Sequence, residues 1–416
     1  MRYSGAATFL VHINRLNRMT DRSPFRLGNA TTLLAGKADL FDSLQRALHS
    51  TNSIQTCQTG PSPLFIKEEA QQWLYCETSG STGAAKTIKR SPRSWIRSFA
   101  ENGDLFSLSD KDRYATLGHI GHSLTLYALL EAFHHGADIA MMDSSSPKAQ
   151  LLSLFEHQIS ILYATPTQLR LLAHAARAKN QALFPALRLL MIGGGKLDAA
   201  LLAEMKQLFP KARLHEFYGS SETSFLTLSD PTTPVGSVGR PYPGVTLHIR
   251  HPDQPSQSFK PFETGEIWIN SPYLFEGYTQ GKSAYTYREG DFLTIGEMGY
   301  LDDKGYLYLK GRKSRMVTVA DHNVFLQDVE QILLGHKRVE DCAVLALEDA
   351  LRGSRIIAII EAKDHPDLLD ELRKTCSQSL TQHAIPKSFV RLDSLPKLPS
   401  GKADLQALQT WIETQE

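Results

Sequence analysis

The chain has 416 residues, with 45 basic and 44 acidic side chains and a net charge of +1. This length is sufficient for two or three domains with a substantial core. The balanced charge argues against a nucleic-acid partner, and no apolar run approaches the roughly 20 residues that span a bilayer.

Four cysteines are scattered along the chain without C-x-x-C spacing: Cys57, Cys76, Cys342 and Cys376. They indicate neither a disulfide framework nor a zinc site. Free thiols are typical of a reducing compartment, so the sequence predicts a cytoplasmic protein. The N-terminal stretch has a short apolar patch interrupted by polar residues and no clear cleavage site, and we expect it to belong to the mature protein.

A run of hydroxyl side chains and glycines stands between the β-prone segment "QWLYCE" and the helical segment "SWIRSFAEN". It is made of Thr78, Ser79, Gly80, Ser81, Thr82 and Gly83, followed after two alanines by Lys86. Small donors, glycines that permit close backbone approach and a terminal lysine suit an anion. The run therefore predicts a polyphosphate loop at a strand end in front of a helix, with a flexible linker as the alternative.

The same run nearly matches the Walker A pattern G-x-x-x-x-G-K-[ST], with Ala85 in place of the second glycine. Pro92 follows soon after the lysine and is unfavourable inside the helix that a Walker lysine opens. A P-loop NTPase, which would release inorganic phosphate, is therefore an alternative that both residues count against.

From about residue 70 to 220, apolar segments such as "ISILYA" and "LRLLMIGG" alternate with longer amphipathic ones such as "DAALLAEMKQLF". This βα repeat predicts a largely parallel sheet with helices on both faces and ligand sites at the carboxyl ends of strands. The glycines Gly193–Gly195 follow one such strand. His119 and His122, in "GHIGH", lack a nearby cysteine or carboxylate, and we expect pocket or core residues rather than metal ligands.

Beyond the repeat, the sequence pattern over residues 234–310 is one of short strands separated by Gly and Pro turns, which predicts a β-rich subdomain. Residues 311–416 then predict a compact α+β unit. We therefore expect an α/β protein with a large N-terminal domain over residues 1–310. A small mobile C-terminal domain over residues 311–416 follows a short hinge at Gly311–Arg315.

Five motifs in one order resemble the adenylate-forming superfamily, which comprises acyl-CoA synthetases, aryl-acid ligases and peptide-synthetase adenylation domains. They are "TSGSTGAAK", "EFYGSSET", "GEIWINSPYLFEGY", "REGDF" with "GYLDDKGYLYLKGRKSRMV", and "LPKLPSGK". The resemblance covers the chain from about residue 70 to its end. It implies an ATP- and Mg²⁺-dependent ligase that converts a carboxylic acid into an acyl adenylate, releases pyrophosphate and passes the acyl group to a thiol.

The resemblance also implies roles for individual residues. The loop from Thr78 to Lys86 would hold the β and γ phosphates, Glu222 would bind Mg²⁺, and the hydroxyl of Ser221 would reach the α-phosphate. Lys402 would bridge the substrate carboxylate and the α-phosphate during adenylation. The remaining nucleotide contacts would come from Gly194, Gly195, Tyr218, Gly219, Asp291 and Arg312. His122 and Gly193 would line the acyl pocket.

The chain departs from the family pattern at several points. The region before the phosphate loop is shorter than in familiar members, Arg315 stands where the hinge usually has aspartate or lysine, and Asp321 replaces a glycine that lines the pantetheine tunnel. An aspartate adds bulk and charge there, so the sequence leaves open whether the acceptor is CoA or an acyl carrier protein. A catalytically inactive nucleotide-binding homologue is a further alternative, and the acid is not specified by the sequence.

Overall fold

The computed structural model describes residues 25, 27, 31–58, 62–78, 86–179, 184–195, 197–320, 322–349, 353–397 and 403–414. These residues divide into two compact units. The first comprises residues up to Thr78, Lys86–Pro231 and Pro272–Gln280, and the second comprises Thr232–Ser271 and the residues from Gly281 onward.

The elements follow one another in chain order. As far as Leu228 they are β1 (Leu33–Ala35), α1 (Ala38–Leu48), β2 (Ser53–Thr56), β3 (Leu64–Lys67), β4 (Leu74–Thr78), β5 (Lys86–Arg90), α2 (Pro92–Phe106), β6 (Arg113–Thr116), α3 (Ser123–His135), β7 (Asp138–Met141), α4 (Pro147–Glu156), β8 (Ile161–Ala164), α5 (Pro166–Lys179), β9 (Leu189–Ile192), α6 (Ala199–Leu208), β10 (Arg213–Ser220) and β11 (Ser224–Leu228). The remainder are β12 (Arg240–Pro241), β13 (Thr246–Arg250), β14 (Gly265–Asn270), β15 (Gly277–Gln280), β16 (Tyr287–Glu289), β17 (Phe292–Leu301), β18 (Leu307–Arg312), β19 (Met316–Val319), β20 (His322–Phe325), α7 (Leu326–Leu334), β21 (Asp341–Asp349), β22 (Gly353–Glu361), α8 (Leu368–Ser379), β23 (Ser388–Leu392) and α9 (Leu405–Glu413).

The main sheet of the first unit has the order β1-β7-β6-β8-β9-β10-β11. The pairs from β1 to β10 are parallel, and β10 pairs antiparallel with β11. All four residues of β8 and of β9 are buried, as expected for parallel strands covered on both faces by helices. The α/β fold class predicted from the βα repeat is confirmed.

Local sequence signals set the helix ends in this repeat. Pro92, Pro147 and Pro166 each open a helix, where the missing N–H has no cost. The side chain of Asp198 caps α6 by accepting from the Leu201 N–H at 2.8 Å. Gly136, with φ +74°, ends α3 in the left-handed conformation that glycine adopts freely.

A second sheet of the first unit has the order β15-β5-β4-β2-β3. Here β5 pairs antiparallel with both β4 and β15. The chain therefore returns from the β-rich region to the first unit over Pro272–Gln280. The sequence pattern places this stretch in the predicted β-rich subdomain, whereas its strand pairs with β5 in the first unit.

The second unit contains an antiparallel sheet, β13-β14-β17-β16, in which β18 also pairs with β17. Further along the chain, β21, β22 and β23 form a three-stranded sheet. Alternate residues of β21 point to opposite faces, with Val344 in one apolar core and Leu345 in another. The domain boundary at residue 310 stays a prediction.

None of the helices in the described ranges is long and apolar enough to cross a membrane. The four cysteines are buried and free.

Candidate active site

The two ends of the predicted phosphate loop lie opposite each other. Thr78 at the end of β4 pairs with Lys86 at the start of β5 in an antiparallel ladder. The residues between them, including the predicted Ser79, Gly80, Ser81, Thr82 and Gly83, lie outside the described residues.

The predicted loop follows a strand as expected, but a second strand separates it from the helix. Lys86 begins strand β5, and the helix α2 starts only at Pro92. A Walker lysine stands at the start of a helix, so the loop between β4 and β5 contradicts the P-loop NTPase alternative. Pro92 lies at the N-terminus of its helix, where it is favourable.

The segment "YGSSET" comprises the end of β10 and the tight turn of residues 221–223 that leads into β11. The Ser220 hydroxyl accepts hydrogen bonds from the Glu222 N–H at 3.2 Å and the Thr223 N–H at 3.3 Å. A Cβ on Gly219 would lie 1.8 Å from the carbonyl oxygen of Ser224. Gly219 is therefore required by this close backbone approach, whatever else it contacts.

Glu222 is held by a side chain from a distant part of the sequence. The Tyr278 hydroxyl, on β15, donates to Glu222 Oε1 at 2.8 Å. The Lys86 ammonium lies 5.7 Å from the centre of the Tyr278 ring, within the range of a cation–π contact. The structure thus brings the predicted Lys86 and Glu222 into contact with the same tyrosine, and all three side chains are half-buried.

Ser221, the predicted α-phosphate ligand, is fixed through both its side chain and its backbone. Its Oγ lies 2.8 Å from the Oγ of Ser123, the first residue of α3. Its carbonyl oxygen accepts a hydrogen bond from Arg90 Nη2 at 2.6 Å. The predicted pocket residue His122 is exposed and occupies the N-cap position of α3, so it immediately precedes the residue that contacts Ser221.

The triple glycine forms the turn after β9. A Cβ on Gly193 would lie 2.2 Å from the ring of Phe217, and Gly194 has φ +79°. Close packing against β10 therefore requires glycine at position 193, and the left-handed backbone conformation favours glycine at position 194. Gly195 is exposed in the same turn, and Tyr218 is half-buried on β10. Contacts of these residues with adenine stay predictions.

The other predicted nucleotide residues belong to the second unit. Asp291 is exposed in the two-residue turn between β16 and β17, next to Gly290 with φ +57°. Arg312 donates from Nε to Glu297 Oε1 at 3.0 Å. Lys402, the predicted adenylation lysine, and Asp321, the predicted tunnel residue, lie outside the described residues.

The predicted hinge contains three basic side chains with different partners. Lys313 lies 3.5 Å from Glu266 on β14, whereas Arg315 binds Glu330 on α7 at 2.5 Å and the carbonyl of Val344 on β21 at 2.9 Å. Burial raises the pKa of Glu330, and Arg315 opposes that rise. Within the second unit, Lys313 and Arg315 are thus held by different elements: Lys313 by β14, and Arg315 by α7 and β21.

Sequence reasoning missed three residues of this site. Tyr278 lies inside a quoted motif, but nothing local signals its contact with Glu222. Ser123 directly follows His122, and the family resemblance points to His122 rather than to Ser123. Arg90 stands in "KTIKR", where an arginine is far more often a solvated side chain than a buried one.

The profile of the AMP-binding enzyme family matches residues 35–279, and that of the AMP-binding enzyme C-terminal domain matches residues 328–402. The chain belongs to the AMP-binding enzyme family, and the predicted membership of the adenylate-forming superfamily is confirmed. Its curated relatives include an uncharacterized acyl–CoA ligase of Bacillus subtilis (strain 168). That relative is 32% identical over 340 residues, which are 81% of this chain and 68% of the relative.

A 2-succinylbenzoate–CoA ligase of Bacillus velezensis is 29% identical over 333 residues, covering 78% of this chain and 66% of the ligase. The chain thus spans about two thirds of the length of these relatives. Among solved structures, o-succinylbenzoate CoA synthetase of Bacillus subtilis with its acyl-adenylate intermediate has a TM-score of 0.74 at 21% identity. The match covers 92% of this chain and 88% of that one. The predicted enzyme class, an AMP-forming acid–thiol ligase, is confirmed.

Proposed function

We propose that the protein adenylates a carboxylic acid with ATP and transfers the acyl group to a phosphopantetheine thiol. In the first step a carboxylate oxygen bonds to the α-phosphorus while the bond to the bridging oxygen breaks, and pyrophosphate leaves. In the second step the thiol sulfur, having lost its proton, bonds to the acyl carbon, and AMP leaves with the electron pair. The grouping of Lys86, Tyr278 and Glu222 carries the proposal.

These side chains suit a reaction whose main requirement is charge neutralisation. Lys86, which pairs with Thr78 across the two ends of the loop, would offset the charge on departing pyrophosphate. The Ser221 hydroxyl, already oriented by Ser123, would bind the α-phosphate. Because the hydrogen bond from Tyr278 fixes the carboxylate of Glu222, that carboxylate is preorganised before substrates bind.

Glu222 also fits the predicted Mg²⁺. Its oriented carboxylate is a hard oxygen ligand, the kind that Mg²⁺ prefers. Among the described residues there is no group of three or more His, Cys, Asp or Glu side chains that could hold a metal. One carboxylate with substrate phosphates and water is the usual ligand set for Mg²⁺ in nucleotide enzymes, and the ion would supply positive charge to the phosphate oxygens.

We further propose the predicted domain division, with residues 311–416 as a mobile lid. Its support is the change of partners at the hinge, since Lys313 binds the β-rich sheet while Arg315 binds α7 and β21. Ser314, exposed between them, would absorb the backbone rotation. Asp291 would bind the ribose hydroxyls, Arg312 would lie by the ribose or phosphate, and Lys402 would act in adenylation.

The names of the relatives support an organic acid as the substrate but do not favour one kind of acid. One is named for 2-succinylbenzoate, and a ligase of Staphylococcus haemolyticus is named as a putative long chain fatty acid–CoA ligase. We propose a cytoplasmic enzyme of a fatty-acid, polyketide or aryl-polyene type pathway, with CoA or an acyl carrier protein as acceptor.

Acid-dependent exchange of labelled pyrophosphate into ATP tests the proposal without the acceptor. A panel of aryl, short-chain and long-chain acids should produce exchange with one class, and Glu222→Gln should abolish it. Absence of exchange with every acid, alongside intact ATP binding, would refute adenylation of free acids and favour the inactive homologue.

A further inference from the structure

Arg90, the last residue of β5, has a side chain with no exposed surface. Its guanidinium donates from Nη1 to the Tyr273 carbonyl at 2.5 Å and to the Ser94 hydroxyl at 3.0 Å, and from Nη2 to the Ser221 carbonyl at 2.6 Å. The guanidinium also lies 5.2 Å from the centre of the Trp95 ring. The described hydrogen-bond acceptors of this buried cation are therefore two carbonyls and a hydroxyl, all neutral.

Such a group is costly to keep in the interior, because the guanidinium loses its hydration without gaining a directly bonded carboxylate. Burial lowers the pKa of Arg90 to about 10, and the negative charges of Glu222 and Glu276 oppose that change. The side chain nevertheless remains a cation at neutral pH. An apolar residue would fill a core position at lower cost, so the arrangement indicates that the hydrogen bonds of Arg90 have a use.

The segments that meet at Arg90 are those that carry the site. Lys86 opens the strand that Arg90 closes. Ser221 directly precedes Glu222, and Tyr273 lies in the segment that leads to Tyr278. A backbone hydrogen bond from the Phe275 N–H to the Glu222 carbonyl, at 2.8 Å, joins the last two segments.

We propose that Arg90 is a positioning residue that fixes the Glu222 turn and the Tyr278 segment against the strand of Lys86. This inference rests on the proposed function of Glu222 as the Mg²⁺ ligand. Arginine suits the task because its planar fork reaches two carbonyls at once, whereas the ammonium of lysine is a single point of charge. Arg90 touches no reacting atom and acts only through the segments that it joins.

The test compares Arg90→Met and Arg90→Lys with Arg188→Met. Arg188 is a matched control because it also binds main-chain carbonyls, those of Phe106 at 2.8 Å and Ser107 at 3.1 Å, together with Asp112 at 2.6 Å. It precedes β9 at the amino end of the strand, whereas the candidate site lies at the carboxyl ends. Arg188→Met should therefore lower the melting temperature without affecting the site.

The first readout is hydrogen exchange of the apo protein, which does not depend on activity. Arg90→Met should accelerate exchange about tenfold or more in peptides covering residues 217–224 and 272–278. Arg90→Lys should have a smaller effect, and Arg188→Met should have none there. Unchanged exchange in both peptides of Arg90→Met would overturn the proposal, whether or not the enzyme is active.

The second readout is the Mg²⁺ concentration that gives half-maximal pyrophosphate exchange. Arg90→Met should raise it about 10–100-fold, the usual effect of removing a partner that orients a metal ligand. The positioning role would be overturned if the half-maximal Mg²⁺ concentration of Arg90→Met equalled the wild-type value. Any loss of activity in that variant would then follow only its lower melting temperature, as in Arg188→Met. If the wild-type protein catalyses no exchange with any acid, the proposed function fails, and hydrogen exchange still decides whether Arg90 fixes these segments.

Discussion

Replacing Glu131 with glutamine should change how the stability of the first unit depends on pH. Glu131 lies on α3 with no exposed surface. Its carboxyl oxygens accept hydrogen bonds from Asn102 Nδ2 at 2.8 Å and from the hydroxyls of Tyr163 at 2.6 Å and Tyr114 at 3.2 Å. Burial raises the pKa of Glu131 from 4.5 to about 7, although the hydrogen bonds oppose the change.

The direction and the size of this pH dependence follow from the linkage between proton binding and folding. Below pH 4.5 the carboxyl of Glu131 is protonated in both folded and unfolded chains, so its contribution to stability is fully present. As the pH rises from 4.5 to about 7 the unfolded chain ionises first, and the free energy of unfolding falls. At about 1.4 kcal/mol for each pH unit between the two values, the loss is about 3.5 kcal/mol.

Glu131→Gln cannot ionise, so its free energy of unfolding relative to wild type should rise by about 3.5 kcal/mol between pH 4.5 and 8. Urea-dependent hydrogen exchange of α3 peptides measures the first unit alone, which avoids assuming two-state unfolding of the whole chain. Glu156→Gln, the same substitution at an exposed position of α4, is the control. Parallel curves for wild type and Glu131→Gln across this range would refute the reasoning.

Tyr278→Phe removes the hydroxyl that orients Glu222, so the Mg²⁺ concentration for half-maximal pyrophosphate exchange should rise about tenfold; an unchanged Mg²⁺ titration would contradict this orienting role. Lys402→Ala should abolish acyl-adenylate formation yet spare thiol attack on supplied acyl adenylate, because the lysine is assigned to the first transition state only; equal loss of both half-reactions would remove that assignment. Asp321→Gly should increase turnover with CoA if the aspartate obstructs the thiol tunnel; an unchanged CoA rate would remove the argument for a carrier protein.

The sequence predicted the main sheet well because its signals there are local. The strands β8 and β9 are continuous apolar runs, and each is followed by an amphipathic helix, so periodicity alone separates them. Strand β5 was missed because "KTIKR" has two lysines and an arginine among its five residues. Its burial depends on pairing with β4 and β15, which a local pattern does not contain.

The sequence predicted candidate-site residues only where a motif assigns them a role. The motifs predict Lys86 and Glu222 as site residues, and the structure brings both into contact with Tyr278. They did not identify Tyr278, which contacts both of these residues, nor Arg90, which donates to the carbonyl of Ser221. Both contacts join residues far apart in the sequence, and the chemistry of an isolated tyrosine or arginine is compatible with many other roles.

The late return of β15 affects the order in which the first unit can be completed during synthesis. Thr87 on β5 and Gln280 on β15 make contact although 193 positions separate them. Until the ribosome has released Gln280, one edge of β5 has backbone N–H and C=O groups without their final partner strand. Such an edge can pair with strands of other nascent chains. Any shortened version of this protein that is meant to retain the first unit must therefore extend through Gln280.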